Sequence, residues 1–231
     1  MRTTILLLAM AAALAAAPQD KAQDRPFTDS FLVDEKDFVT TGRNPYFILE
    51  PGYQLVLENK KKKEVLVITV LEETKKIGGI ETRVIEEHES VDGKPVEISR
   101  NFFAICKRSN SVYYFGEEVD EYKDGKVAGH PGAWLHGDKG AHYGLMMPGL
   151  PLVGARYYQE VAPKVAMDRA EILSVSDTFE CPAGKFEKVL TTEETTPLEP
   201  AERAHKKYAP GVGLLSDGDM TLVKYGPKAT K

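Results

Sequence analysis

The feature that most constrains this chain is a repeated grammar: short turn signals between runs rich in β-branched and aromatic residues. Asp92-Gly93, Asp124-Gly125 and Asp217-Gly218 are the strongest of these signals, because both residue types tolerate the positive φ that a tight hairpin requires. Asn44-Pro45, Pro51-Gly52, Gly78-Gly79, Ser109-Asn110 and Pro182-Ala183-Gly184 punctuate the rest. Between them lie strand-like runs, among them Tyr53 to Glu58, Glu64 to Glu73, Ile80 to Glu89, Val96 to Lys107 and Val112 to Tyr122. Met167 to Cys181, Phe186 to Thr196 and Met220 to Tyr225 continue the series, and only Met167 to Ser176 offers a competing helix. The pattern predicts one all-β domain over 44–226. A large curved antiparallel sheet or open barrel is the first choice and a two-layer sandwich the second. No repeat of fixed period is present, which leaves a propeller or solenoid unsupported.

Met1 to Ala17 carries one early positive charge, Arg2, then an apolar run from Ile5 to Leu14, and ends in small residues. That is the order of a secretory signal peptide, and its apolar run is shorter than the roughly 20 residues of a spanning helix. Residues 18–43 read as a flexible polar arm. The chain is expected to be exported, to the periplasm or beyond, with no membrane span after cleavage. With 30 basic against 35 acidic residues it lacks the positive footprint of a nucleic-acid binder. Lys60 to Lys63 reads as a solvated hairpin tip. The two cysteines, Cys106 and Cys181, leave a disulfide and a pair of buried thiols both open in an oxidising compartment.

The chemistry-bearing residues concentrate in a Gly/Pro-rich excursion over 126–155, expected to be a lid on the sheet. A long loop in a compact domain is usually functional, and Met and aromatic side chains line adaptable apolar grooves. Tyr114, Trp134, Tyr143, Met146, Met147 and Tyr158 are therefore the candidate ligand-binding residues, for an apolar small molecule or lipid. An envelope protein is the other expected partner. The competing class is a hydrolase or metal-dependent enzyme. His130, His136 and His142 recur every six residues with Asp138 among them, but this spacing matches no zinc signature. Carboxylates are plentiful (Glu86, Glu87 and Glu89; Glu117, Glu118, Asp120 and Glu121; Glu160, Asp168 and Glu171). A glycosidase needs two of them facing one another; the plainer reading is solvated strand faces, with Glu118 and Asp120 on one side of their strand and Glu117 and Glu121 on the other. No serine lies in a nucleophile elbow, and neither a Walker loop nor a Rossmann fingerprint is present, so no cofactor is implied.

Several short motifs occur in a characteristic order: Asn44-Pro45-Tyr46-Phe47, Val112-Tyr113-Tyr114-Phe115-Gly116-Glu117, Met147-Pro148, Tyr158-Gln159-Glu160 and Tyr208-Ala209-Pro210-Gly211-Val212-Gly213. In this order they resemble a family of exported bacterial β-rich proteins with no assigned activity. The resemblance covers roughly residues 44–223 and implies export and a β-rich fold, but no reaction. The Tyr208 to Gly213 element is also similar to one in periplasmic curved-sheet proteins, some of them related to lipoprotein carriers; that link is an analogy of fold.

Overall fold

The computed structural model describes residues 25–228. The expected leader, 1–17, and the first residues of the expected arm lie outside the described residues. A short 3-10 turn (Glu35–Asp37) comes first, followed by β1 (Phe38–Val39), β2 (Gly42–Asn44) and β3 (Phe47–Leu49). The long meander is β4 (Tyr53–Asn59), β5 (Glu64–Ile77), β6 (Ile80–Val91), β7 (Lys94–Cys106) and β8 (Val112–Lys123). Short strands follow: β9 (Lys126–Gly129), β10 (Trp134–Leu135), β11 (His142–Met147), β12 (Arg156–Tyr158) and β13 (Glu160–Val161). The chain ends in β14 (Arg169–Cys181), β15 (Gly184–Thr196), β16 (Glu199–Ala209), β17 (Gly213–Asp217) and β18 (Met220–Pro227). Among the described residues no helix is long and apolar enough to cross a membrane.

The turn chemistry acts as its residue types require. Asp92, Gly93, Asp124 and Gly125 all adopt positive φ, between 52° and 73°, and each pair closes a hairpin. The Met167 to Ser176 run, where a helix could have competed, is strand throughout its β14 portion, since Ala170 and Ile172 are wholly buried while Leu173, next to Ile172, is exposed.

The sheet is antiparallel, in the order β12-β14-β15-β16-β17-β18-β4-β5-β6-β7-β8-β11-β13. Its two edge strands, β12 and β13, are separated in the chain by Gln159 alone, so one segment supplies both edges and the sheet curls into a nearly closed barrel. The Gln159 and Glu160 amides both donate to the Asp168 carbonyl, at 2.8 and 3.3 Å, and this joins the two edges. Gly144 makes the seam possible: a Cβ there would stand 2.3 Å from the Gln159 carbonyl.

The separate hairpin β2–β3 closes one end of the barrel. Tyr46, Ile48 and Leu49 join the interior core, the Phe47 ring lies 5.2 Å from that of Phe103, and the Tyr53 hydroxyl donates to the Val212 carbonyl at 2.8 Å. The turns at 60–63, 92–93, 124–125, 197–198 and 218–219 form the opposite end. A second apolar cluster lies outside the barrel, on Val84, Phe102, Ala104, Tyr113 and Phe115, with Phe31, Val33 and Phe38 packed over it. Of the arm expected over 18–43, the part from Phe31 to Val39 thus lies on the sheet as its outer cover.

The 126–155 excursion differs from the expected lid. β9, β10 and β11 all pair with β8, which extends the sheet and satisfies backbone groups that a free loop would leave to water. The stretches 130–133, 136–141 and 148–155 remain outside the strands.

Candidate functional site

The site that the fold builds is the barrel interior. Directly opposed residues of antiparallel neighbours share a face, so register places the chemistry. Leu55 faces Ile68, which faces Glu87, which faces Ser99. Across the barrel Ile172 faces Thr192, which faces Lys206, which faces Asp217. Each of these strands is apolar toward the β2–β3 end and polar toward the other.

The apolar half holds a cavity of about 100 Å³, walled by Leu55, Leu66, Ile68, Val70, Ile85 and Phe103 and floored by Tyr46 and Phe47. Glu87, Lys206 and Asp217 line its polar end. Lys206 and Asp217 also line a second, open hollow of about 720 Å³, together with Asp168, Glu194, Glu199, Glu202 and Arg203. A narrow apolar chamber therefore meets a wide acidic mouth, with Lys206 at the boundary.

The electrostatics follow from burial. The Lys206 ammonium lies 3.1 Å from Glu194 and 3.4 Å from Asp217. Burial works against its charge, yet those two carboxylates hold its pKa well above the usual lysine value. Glu194 also accepts from the Gln159 amide at 3.1 Å. Burial pushes the Glu87 carboxyl up to about 7, although Lys206 nearby favours its ionised form. The same cause takes Glu117 to about 7. Glu160 rises to about 8, driven by burial and by the charges of Asp168 and Glu117, and opposed by the Trp134 indole N–H, which donates to it at 2.7 Å. The interior holds more carboxylates than its one lysine can neutralise. Two buried hydroxyls on this inner face, those of Tyr157 and Thr192, have no hydrogen-bond partner among the described residues.

The six aromatic and Met positions do not form one site. Tyr114, Trp134, Met146 and Met147 belong to the interior or pack against it. The Tyr114 ring stacks on Phe103 at 4.6 Å and its hydroxyl donates to Asn101 at 2.5 Å, while Met146 lines the apolar chamber. Tyr143 packs on the outer cluster, and Tyr158 meets Phe27 with ring centroids 6.0 Å apart, also outside. Strand alternation sets Tyr143 and Met146 on opposite sides of β11, and the register shift between Leu145 and Met147 lets Met147 join the interior as well.

The alternative metal set is not assembled. His130 bonds the Val119 carbonyl and lies 3.0 Å from Asp120, His136 sits between Phe115 and Tyr143, and Asp138 closes a tight turn with Ala141. Among the described residues no group of three His, Cys, Asp or Glu side chains could hold a metal ion. The two thiols are free: Cys106 lies in the outer cluster and Cys181 at the far end of β14.

Sequence reasoning treated Glu87, Glu117 and Glu160 as solvated and did not single out Glu194, Lys206 or Asp217. The available signal was alternation: Leu190, Thr192 and Glu194 share a face on β15, as do Tyr208 and Lys206 on β16, and each series runs from apolar to charged. Comparison of the chain with family models, with curated proteins and with solved structures gave no match.

Proposed function

We propose that this chain is an exported, non-catalytic binding protein that holds a small amphiphile inside its barrel, apolar part inward and basic head group in the acidic mouth. The observation that carries this reading is that the two hollows adjoin, sharing Lys206 and Asp217 in their linings. The chamber volume sets the scale of the apolar part, since cavities of about 150 Å³ hold a benzene ring. At about 100 Å³ the chamber is smaller than that, so a short alkyl chain fits its scale and a full-length lipid chain does not. The surplus of interior carboxylates favours a cationic head, because Lys206 is already paired with Glu194 and Asp217 and further negative charge there would be desolvated and repelled.

The test is calorimetric titration with short-chain alkylamines beside the corresponding alkylcarboxylates, with native mass spectrometry of protein from its own host to find a resident ligand. Amines are expected to bind and carboxylates not. Ile68→Trp, which fills the chamber, is expected to weaken amine binding by roughly tenfold or more, with the fold checked by circular dichroism. Equal binding of both series, or full amine affinity in the filled variant, would count against the proposal.

A further inference from the structure

The segment Leu150-Pro151-Leu152-Val153 presents three aliphatic side chains to solvent, at 78, 63 and 63 % exposure. It is not a slack loop. The Asn44 amide donates to the Pro148 carbonyl at 3.0 Å, and the Gly149 amide donates to the Ser111 hydroxyl at 3.0 Å. A Cβ on Gly149 would stand 1.9 Å from the Ser109 carbonyl oxygen, so the chain is seated directly on the β7–β8 turn. On the far side the Gly154 amide donates to the Ile172 carbonyl at 2.7 Å, and the Ala155 amide to Leu152 at 3.0 Å. Held at both ends, the tip cannot fold back to hide its side chains. Leu173, next to the Ile172 anchor, adds a further exposed aliphatic side chain.

The charges beside the tip point one way. Lys107 and Arg108 flank the Ser109 seat, the Arg43 carbonyl accepts from Asn110 in the same turn, and Arg25 approaches Gly154. Their counter-ions are set further in: Arg108 is 75 % exposed and Lys107 54 %, against 6 % for the Asp37 they share. Arg25 and Arg43 are likewise more exposed than Glu171 and Glu50. This patch of an otherwise acidic chain shows cations to solvent.

We infer that the 149–153 tip docks on an anionic lipid bilayer surface, with Leu150, Leu152 and Val153 entering the headgroup region and Arg25, Arg43, Lys107 and Arg108 meeting lipid phosphates. An aliphatic tip ringed by outward cations is the arrangement that interfacial binding requires. A second copy of the chain fits less well, because a two-fold contact through this patch would set the same cations against one another. The inference rests on the outer surface and is independent of the barrel ligand.

Co-sedimentation of residues 18–231, the chain without its expected leader, with phosphatidylcholine vesicles, with and without phosphatidylglycerol, tests it. The chain is expected to pellet with the anionic vesicles and to be released by high salt. Leu150→Ser/Leu152→Ser, at exposed positions that leave the core intact, is expected to reduce the bound fraction by roughly tenfold or more, and Arg108→Gln to weaken binding more mildly. A chain that stays in solution, a double variant that pellets like the parent, or pelleting indifferent to lipid charge would overturn it. So would light scattering that shows a dimer dissolved by the same two substitutions, since the occupant would then be a second copy.

Discussion

At the residue scale the notable expense of this fold is its buried carboxylates. Glu160 is 7 % exposed, and its carboxyl titrates near 8 instead of the ordinary 4.5. A raised acid pKa means that the folded state holds a proton which the unfolded state releases. The stabilisation is complete below about 4.5 and is lost as pH rises toward about 8. Glu87 and Glu117, both near 7, act in the same direction. The melting temperature is therefore expected to fall between pH 5 and pH 9. Glu160→Gln keeps an acceptor for the Trp134 indole but removes the charge, so it should raise stability at pH 9 by on the order of 3 kcal/mol and leave pH 5 nearly unchanged. Thermal melts of both proteins at the two pH values check this; an equal effect at both would mean that Glu160 is not the titrating group.

At the scale of elements, the seam between β11 and β13 decides whether the sheet closes. His142 pairs with Val161 and Tyr143 with Glu160, and Gly144 lies against the Gln159 backbone with no room for a side chain. Gly144→Val is expected to push β13 off β11 and to cost about 3 kcal/mol. Urea unfolding would measure the loss, and near-ultraviolet circular dichroism would report the displaced Trp134 through its bond to Glu160. An unchanged midpoint would mean that the seam does not contribute to closure. Both the strand meander and its hairpins were legible from the chain, because turn chemistry and two-residue alternation are local signals. The partner switch at Gln159 was not, since β12 and β13 are too short to show any pattern. The same holds for the 126–155 excursion: its glycines and prolines read as loop, yet β8 offers it unpaired backbone groups, and pairing outweighs weak strand propensity.

At the scale of the whole molecule, the barrel has two apolar layers instead of one. The outer layer is covered by Phe31, Val33 and Phe38, and β1 pairs with the end of β7. Deleting residues before Thr40 would uncover Tyr113, Phe115 and Tyr143. The truncated protein is expected to bind a hydrophobic dye strongly and to lose on the order of 4 kcal/mol, from two aromatic rings and one Val side chain returned to water. The barrel interior should be retained, with amine binding close to that of the parent. Dye fluorescence and calorimetry of the same sample separate the two layers; loss of both together would show that the cover is part of one cooperative core.

What the sequence by itself determined is the class of structure: strands, hairpins, the alternation of each strand and the acidic balance of the chain, all carried by residues within a few positions of one another. What only the tertiary structure decided is which of two alternating faces points inward and which distant strands meet. β4 pairs with β18, and Glu87 shares a chamber with Lys206 and Asp217, although more than a hundred residues separate them. No local rule specifies such a pairing. It follows from the accumulated twist of the sheet bringing its last strands back to its first, and from the need to bury Leu57, Leu190, Leu215 and Leu222 together. Closure then carries Glu87, Glu117, Glu160 and Glu194 inside with them, and turns residues that read as solvated strand faces into the polar half of the barrel interior.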